Sequence, residues 1–232
     1  MLVDRIDVQH QSVGIVIGVI APEGRRVIAY GHLEKGDSRP LNGDTIFEIG
    51  SVTKVFTSLL LADMVQRGEV ALDDPVAKYL PPEVRMPERN GRSITLVDLS
   101  THTSGLPRLP ANLNPKDLNN PYADYSVEQL YQFLSGYQLT RDIGSRYEYS
   151  NLGGGLLGHV LARRAGMDYD VRVGRSNDLS RRWRNVASDK RGRSRKIIVY
   201  IHGPICWQYS PKPRRSLESA PGTHPCFAFA QT

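Results

Sequence analysis

Three features of this 232-residue sequence predict an α+β fold, with antiparallel strands first and helices after them. Two β-branched runs near the start are joined across a short polar turn. From Ser51 onward the apolar residues recur at helical spacing. Between these regions lies a polar stretch rich in Gly and Pro, the composition of a connection.

Val13 to Ala21 and Arg26 to Gly31 are the two β-branched runs, and Pro22-Glu23-Gly24 between them has the composition of a hairpin turn. The chain then passes Gly36, Pro40 and Gly43 to reach Phe47-Glu48-Ile49-Gly50. After Ser51, the spacing of Val52, Val55, Phe56, Leu59, Leu60 and Val65 predicts a helix, with Gly68 placed to stop it. Asp73-Asp74-Pro75 opens a short element ending at Leu80-Pro81-Pro82. Thr95 can cap a brief helix that leads into Thr101-His102-Thr103-Ser104-Gly105-Leu106-Pro107. Ser126 followed by Gln129 is a capping-box pattern, and Leu130, Phe133 and Leu134 form the apolar face of the helix it starts. Asn151 begins a last helix through Leu156, Leu157, Val160 and Leu161, with Gly166 at its end.

Beyond Asp170 the pattern is lost, and only Ile197 to Ile201 reads as a strand. Charge changes at the same place. Residues 1–170 hold 17 Lys and Arg against 21 Asp and Glu, a net of −4; residues 171–232 hold 13 against 3, a net of +10. Both cysteines, Cys206 and Cys226, and both tryptophans, Trp183 and Trp207, lie in the second segment. The expected organisation is therefore a body over 1–170 and a basic tail over 171–232, disordered or foreign to the body. The body has no cysteine to serve as nucleophile, metal ligand or disulfide partner.

Met1 to Gln11 carries Asp4 and Asp7 and lacks a basic start followed by an apolar run, so it does not read as a secretory signal. Val13 to Ala21 is too short to span a bilayer. No membrane segment is expected; without a signal the cytoplasm is only the default, and the sequence leaves the compartment open.

Ser51-Val52-Thr53-Lys54 carries the chemistry. It places a hydroxyl and an amine three residues apart at the start of a predicted helix, on one face and one turn apart. A neutral Lys54 amine could take the Ser51 proton, and the helix N-terminus would favour negative charge developing there. A Ser-x-x-Lys arises by chance about once in a chain of this length, and its ordinary form is an N-cap serine with a solvated lysine. The surrounding frame adds what the four residues lack.

Phe47-Glu48-Ile49-Gly50-Ser51-Val52-Thr53-Lys54, a long helix ending at Arg67-Gly68, then Leu72-Asp73-Asp74-Pro75-Val76 and Tyr79-Leu80-Pro81, resembles the serine β-lactamase and penicillin-binding-protein superfamily. Within it, the class C-like branch of lactamases, peptidases and esterases is most similar. Ile94 to Pro107 looks like that branch's usual sequence, and Tyr149-Ser150-Asn151 matches its second motif, Tyr-x-Asn.

The resemblance implies an α/β sandwich of the β-lactamase/transpeptidase type, with an antiparallel sheet and a helical subdomain, here incomplete. It implies Ser51 as nucleophile, Lys54 and Tyr149 as proton-transfer groups, and Asn151 as the residue that binds the acyl donor's amide and helps hold the lysine. It implies no cofactor and no metal. In the family Thr-His-Thr-Ser-Gly is a structural turn, so His102 is read as a loop histidine and not as part of a Ser-His-Asp triad.

The resemblance covers about Val13 to Tyr169, whereas family domains continue well beyond this length. The remainder normally supplies a third motif, Lys or His, one residue, then Gly, together with one oxyanion N–H and further strands. Lys190-Arg191-Gly192 matches that motif in letters only. Truncation with replacement, or a shifted reading frame near Tyr169, is the expected origin.

Three functions follow. The first is a serine hydrolase working through an acyl-enzyme on a small-molecule or peptide acyl donor: an amide, β-lactam or ester. The second is a catalytically impaired remnant of such an enzyme. The third, resting on charge alone, is a nucleic-acid or acidic-surface binder using the Arg-rich tail; nucleic acid is not the expected partner. With part of its sheet lacking and Ile197 to Ile201 able to replace at most one of the missing strands, the chain is also expected to be poorly soluble or partly unfolded, with an open edge beside Val13 to Ile17 and residues after about 171 disordered and cleaved by protease.

Overall fold

Val, Ile and Gly alternate so closely between Val13 and Gly31 that an extended pair with a tight reversal is the conformation these side chains favour. In the computed structural model they form β1 (Gly14–Ala21) and β2 (Gly24–Gly31), antiparallel, in a register running from Gly14↔Gly31 to Ala21↔Gly24. The structure describes residues 3–169 except 11, 22, 35, 38, 46, 48 and 119, together with Val173 and the strand Ile198–Ile201. Glycine is required at the open end of the hairpin. A Cβ on Gly14 would lie 2.2 Å from the His32 carbonyl oxygen, and Gly31 has φ +87° with Val13 O only 2.4 Å from where its Cβ would stand.

The described residues fall into two compact units, one running up to Ile49 and including the late strand, the other running from Gly50 to Val173. In the first, a π-helical turn, Asp4–Val8, supplies Ile6 to a small core with Ile15 and Ile17.

The helical unit begins with a 3₁₀ turn, Gly50–Val52, that runs into α1 (Thr53–Gln66). Gly68, at φ +70°, closes α1 as expected, with the Gly68 and Glu69 N–H groups donating to Val65 and Met64. A second 3₁₀ turn, Val76–Tyr79, follows Pro75. Asp74 secures it, accepting from Lys78 Nζ at 2.7 Å, from the Tyr79 hydroxyl, and from the Ala71 N–H at 2.7 Å. Those three bonds hold its carboxyl at about 2, below the usual range.

Next comes a two-residue hairpin, β3 (Glu88–Arg89) and β4 (Arg92–Ser93). The sequence reading missed it, although Asn90 and Gly91, both at positive φ, are the usual signal for such a turn.

α2 (Leu96–Ser100) and α3 (Val127–Gly136) carry complete capping boxes, Thr95 with Asp98 and Ser126 with Gln129. α4 (Asn151–Ala165) is capped by Ser150 and ended by Gly166 at φ +64°. It packs against α1, α2 and the second 3₁₀ turn. Leu60, Met64, Leu96, Leu130, Leu152 and Leu156 are fully buried in the resulting core.

On α1 the buried apolar residues are Leu60, Leu61 and Met64, whereas Val55 and Phe56, and Val52 in the turn before it, are 53, 39 and 53% exposed. The helix is apolar on more than one face, so spacing alone could not choose the one that α4 covers. The β1 edge is also not fully open. β5 (Ile198–Ile201), where the sequence predicted a strand, pairs antiparallel with β1 from Val16↔Ile201 to Val19↔Ile198, giving the order β2-β1-β5.

Of the 171–232 segment, only Val173 and β5 belong to the described residues. The readings made for Lys190-Arg191-Gly192, Cys206, Cys226 and the rest of the tail fall outside them.

Candidate active site

Ser51 stands in the 3₁₀ turn that precedes α1, and Lys54 in the first turn of α1 itself. The ordinary role of such a serine would be to cap the helix, but the N-cap of α1 is Val52 and no side chain caps it. The Ser51 hydroxyl is instead committed to tertiary contacts. Its Oγ accepts from Lys54 Nζ at 3.3 Å and from the Tyr149 hydroxyl at 2.5 Å. Lys54 Nζ also donates to Asn151 Oδ1 at 2.8 Å and lies 4.8 Å from the centre of the Tyr149 ring. All four residues singled out in the sequence thus meet in one cluster, although Tyr149 and Asn151 are 98 and 97 residues from their partners.

α4 sets the far wall of this cluster. Ser150 caps the helix by accepting the Gly153 N–H at 2.8 Å, and its hydroxyl donates to the Pro107 carbonyl at 2.6 Å. The Asn151 and Leu152 N–H groups, left without partners at the first turn of the helix, donate to the Arg108 carbonyl at 3.0 and 3.1 Å. Asn151 is therefore buried, 3% exposed, with its backbone tied down before its side chain reaches Lys54. The Lys54 stem runs past Gly154, where an added Cβ would lie 3.0 Å from Lys54 Cε.

The electrostatics favour a tyrosine that can part with its proton. Burial alone would raise the Tyr149 phenol, but hydrogen bonds with Lys54 and Ser51 and the positive charges of Lys54 and Arg108 together outweigh it. The phenol sits below the ordinary tyrosine value. The Arg108 guanidinium lies 5.4 Å from the ring centre.

Arg108 and His102 are the neighbours whose contact with the cluster the sequence reading did not anticipate. His102 stacks on Tyr149 with ring centres 4.6 Å apart and accepts the Ser150 N–H at Nδ1, 3.1 Å away. Nothing in local periodicity signals these contacts, since they join a loop to the start of a helix almost fifty residues later. Among the described residues, no group of three or more His, Cys, Asp or Glu could hold a metal ion. No helix there is long and apolar enough to cross a membrane.

The profile of the Beta-lactamase family matches residues 2–176. The chain belongs to that family. It is 36% identical over 167 residues to the D-alanyl-D-alanine-carboxypeptidase/endopeptidase AmpH of Escherichia coli K12, covering 72% of this chain and 43% of that protein. It is 31% identical over 182 residues to a beta-lactamase of the same organism, covering 77% and 45%.

Among solved structures, a beta-lactamase/D-alanine carboxypeptidase from Yersinia pestis, complexed with citrate, superposes with a TM-score of 0.66 at 29% identity. That match covers 74% of this chain and 50% of the other. A class C beta-lactamase from Rhodobacter sphaeroides gives 0.59 at 31% identity, covering 75% and 45%.

The fold is accordingly α+β of the β-lactamase/transpeptidase type, in the class C-like branch that the motifs resembled. The chain spans about half the length of the curated relatives it matches.

Proposed function

We propose that this member of the Beta-lactamase family is a serine hydrolase that works through an acyl-enzyme on an amide, β-lactam or ester. One observation carries the reading: Ser51 Oγ lies within hydrogen-bond reach of both Lys54 Nζ and the Tyr149 hydroxyl, while Asn151 holds the lysine from the other side. That is the arrangement of a nucleophile between two groups able to exchange its proton.

In the proposed cycle, Ser51 Oγ attacks the acyl carbon as its proton passes to Lys54 or Tyr149. The tetrahedral intermediate then collapses, expelling the leaving group with a proton returned from the same pair. A water molecule, deprotonated by that pair, attacks the acyl-serine ester and releases the carboxylic acid and free Ser51. The N-terminal end of α1 favours the negative charge that develops at Ser51. In this cycle Asn151 Nδ2 orients the donor's carbonyl. The names of the relatives suggest two donor classes, peptides ending in D-alanyl-D-alanine and β-lactams.

The alternative reading is a catalytically impaired member of the family that keeps the Ser51 cluster without efficient turnover. Acylation by a fluorescent penicillin and hydrolysis of a small ester, each measured beside Ser51→Ala, separate the two. The first reading expects labelling that peptide mapping assigns to Ser51, with turnover, both lost in Ser51→Ala while the far-UV spectrum is unchanged. Slow labelling without turnover would favour the second. Full activity in Ser51→Ala would remove both.

A further inference from the structure

Four successive residues lead the chain into α4, and His102 touches all of them. Its ring meets Tyr147 edge-on at 5.6 Å, and its carbonyl accepts the Glu148 N–H at 2.8 Å. Its ring stacks on Tyr149 at 4.6 Å, tilted by 35°, and its Nδ1 accepts the Ser150 N–H at 3.1 Å. To reach them the residue adopts φ +59°, a left-handed conformation that Asn, Asp and His tolerate better than other side chains.

We propose that His102 is a positioning residue for acyl transfer at Ser51: its neutral imidazole holds the Tyr149 ring so that the phenol bears on the nucleophile, and its protonation releases that ring. This rests on the serine-hydrolase reading above. The chemistry of one bond carries it. A backbone N–H points at Nδ1, so Nδ1 must be the bare nitrogen and the proton must sit on Nε2. Adding a proton to Nδ1 sets N–H against N–H. The bond is lost, and a new cation appears where Lys54 already acts on the ring. A residue that merely fills a turn would have no reason to couple to the tyrosine through its protonation state.

The titratable and charged groups around His102 come from every neighbouring element. Lys54 on α1 acts on the ring by its charge, Tyr147, Glu148 and Tyr149 before α4 touch the residue, Asp98 on α2 binds the adjacent Thr103, and Arg108 in the loop bears on the stacked Tyr149 ring. Asp98 is engaged by Arg92 and Thr95, and Glu148 by Arg141 and Arg146. Neither carboxylate is given over to stabilising an imidazolium. Burial first, and then the Lys54 charge, hold the imidazole below its ordinary value, which keeps the positioning form dominant at neutral pH.

His102→Asn is the informative substitution. Asn Oδ1 can take the place of Nδ1 as acceptor and Asn accepts positive φ, yet it does not titrate. Ester hydrolysis and penicillin acylation are measured between about pH 4 and 8 for the unmodified chain, His102→Asn and Ser51→Ala. In the unmodified chain, the fall of log(kcat/KM) toward acid should include one proton that belongs to His102. In His102→Asn the rate at neutral pH should stay within about tenfold and the acid slope should be smaller by one. An unchanged slope in His102→Asn, with activity still dependent on Ser51, overturns the His102 inference alone. Activity that survives Ser51→Ala overturns the reading beneath it as well.

Nitrogen and ring NMR on the unmodified chain gives a readout that needs no turnover. The Nε2–H form should be observed at neutral pH, and the Tyr149 ring signals should follow the His102 titration. The Nδ1–H form, or a Tyr149 ring indifferent to it, overturns the proposal.

Discussion

The two units of the chain bury their apolar side chains very differently. Among the described residues of the sheet unit the buried cluster is Ile6, Ile15 and Ile17, with Leu33 buried besides, while Ile20, Val27 and Ile28 are 57, 44 and 49% exposed. In the helical unit, leucines from α1, α2, α3 and α4 are buried together, and α2, α3 and α4 begin at side-chain caps. All four candidate catalytic residues lie in the second unit. A site that must hold Ser51, Lys54, Tyr149 and Asn151 within hydrogen-bond distances needs rigid supports, and dense packing with paired helix ends supplies them.

The largest expected effect sharpens that comparison at the chemistry itself. Lys54→Arg keeps the charge but cannot give up its proton at workable pH, so acylation should fall by about 10²-fold or more, nearly as far as in Lys54→Ala. Acylation rates for the two variants check this; most of the activity surviving in Lys54→Arg would make the residue an electrostatic support.

A second test strikes the core beneath the site. Leu156 on α4 is fully buried, and Leu156→Ala should cost about 2–5 kcal/mol of folding stability, read from urea unfolding. By contrast Ile28→Thr on β2, at a half-exposed position, should change stability by no more than about 0.5 kcal/mol. If the two substitutions cost the same, the contrast between the units would be wrong.

A smaller effect concerns acid. His159 on α4 is held at about 4 by burial first and by the Arg163 charge second, with Tyr131 against its Nε2 at 2.7 Å. An unfolded chain takes up this proton near 6.5, whereas the folded chain resists it until about 4. The neutral ring's contribution is therefore present above 6.5 and declines as pH falls through that window. Chemical unfolding at several pH values should show this decline, flattened in His159→Gln; an equal decline in the variant would place the acid sensitivity elsewhere.

Much of the fold was legible in the sequence where the signal is local. The hairpin followed from two β-branched runs around Pro-Glu-Gly. The starts of α2 and α3 followed from Thr95 with Asp98 and Ser126 with Gln129, and the ends of α1 and α4 from Gly68 and Gly166. Each depends on residues within about four positions of one another, so spacing suffices. The strand at Ile198–Ile201 was also readable, and as a stand-in for one missing sheet partner, but its register against β1 was not. The hairpin at Asn90-Gly91 was readable and was passed over.

What the sequence determined by itself is the local grammar: which segments bend, which extend, and that Ser51 and Lys54 sit one turn apart. Only the tertiary structure decided which face of α1 is buried, that Ser51 bonds to Tyr149 and Lys54 instead of capping a helix, and that His102 stacks on the tyrosine. The physical reason is chain separation. These contacts join residues three to ninety-eight positions apart, and the distant ones exist because α4 packs on α1 and α2, an outcome of burying many side chains at once that no single spacing encodes.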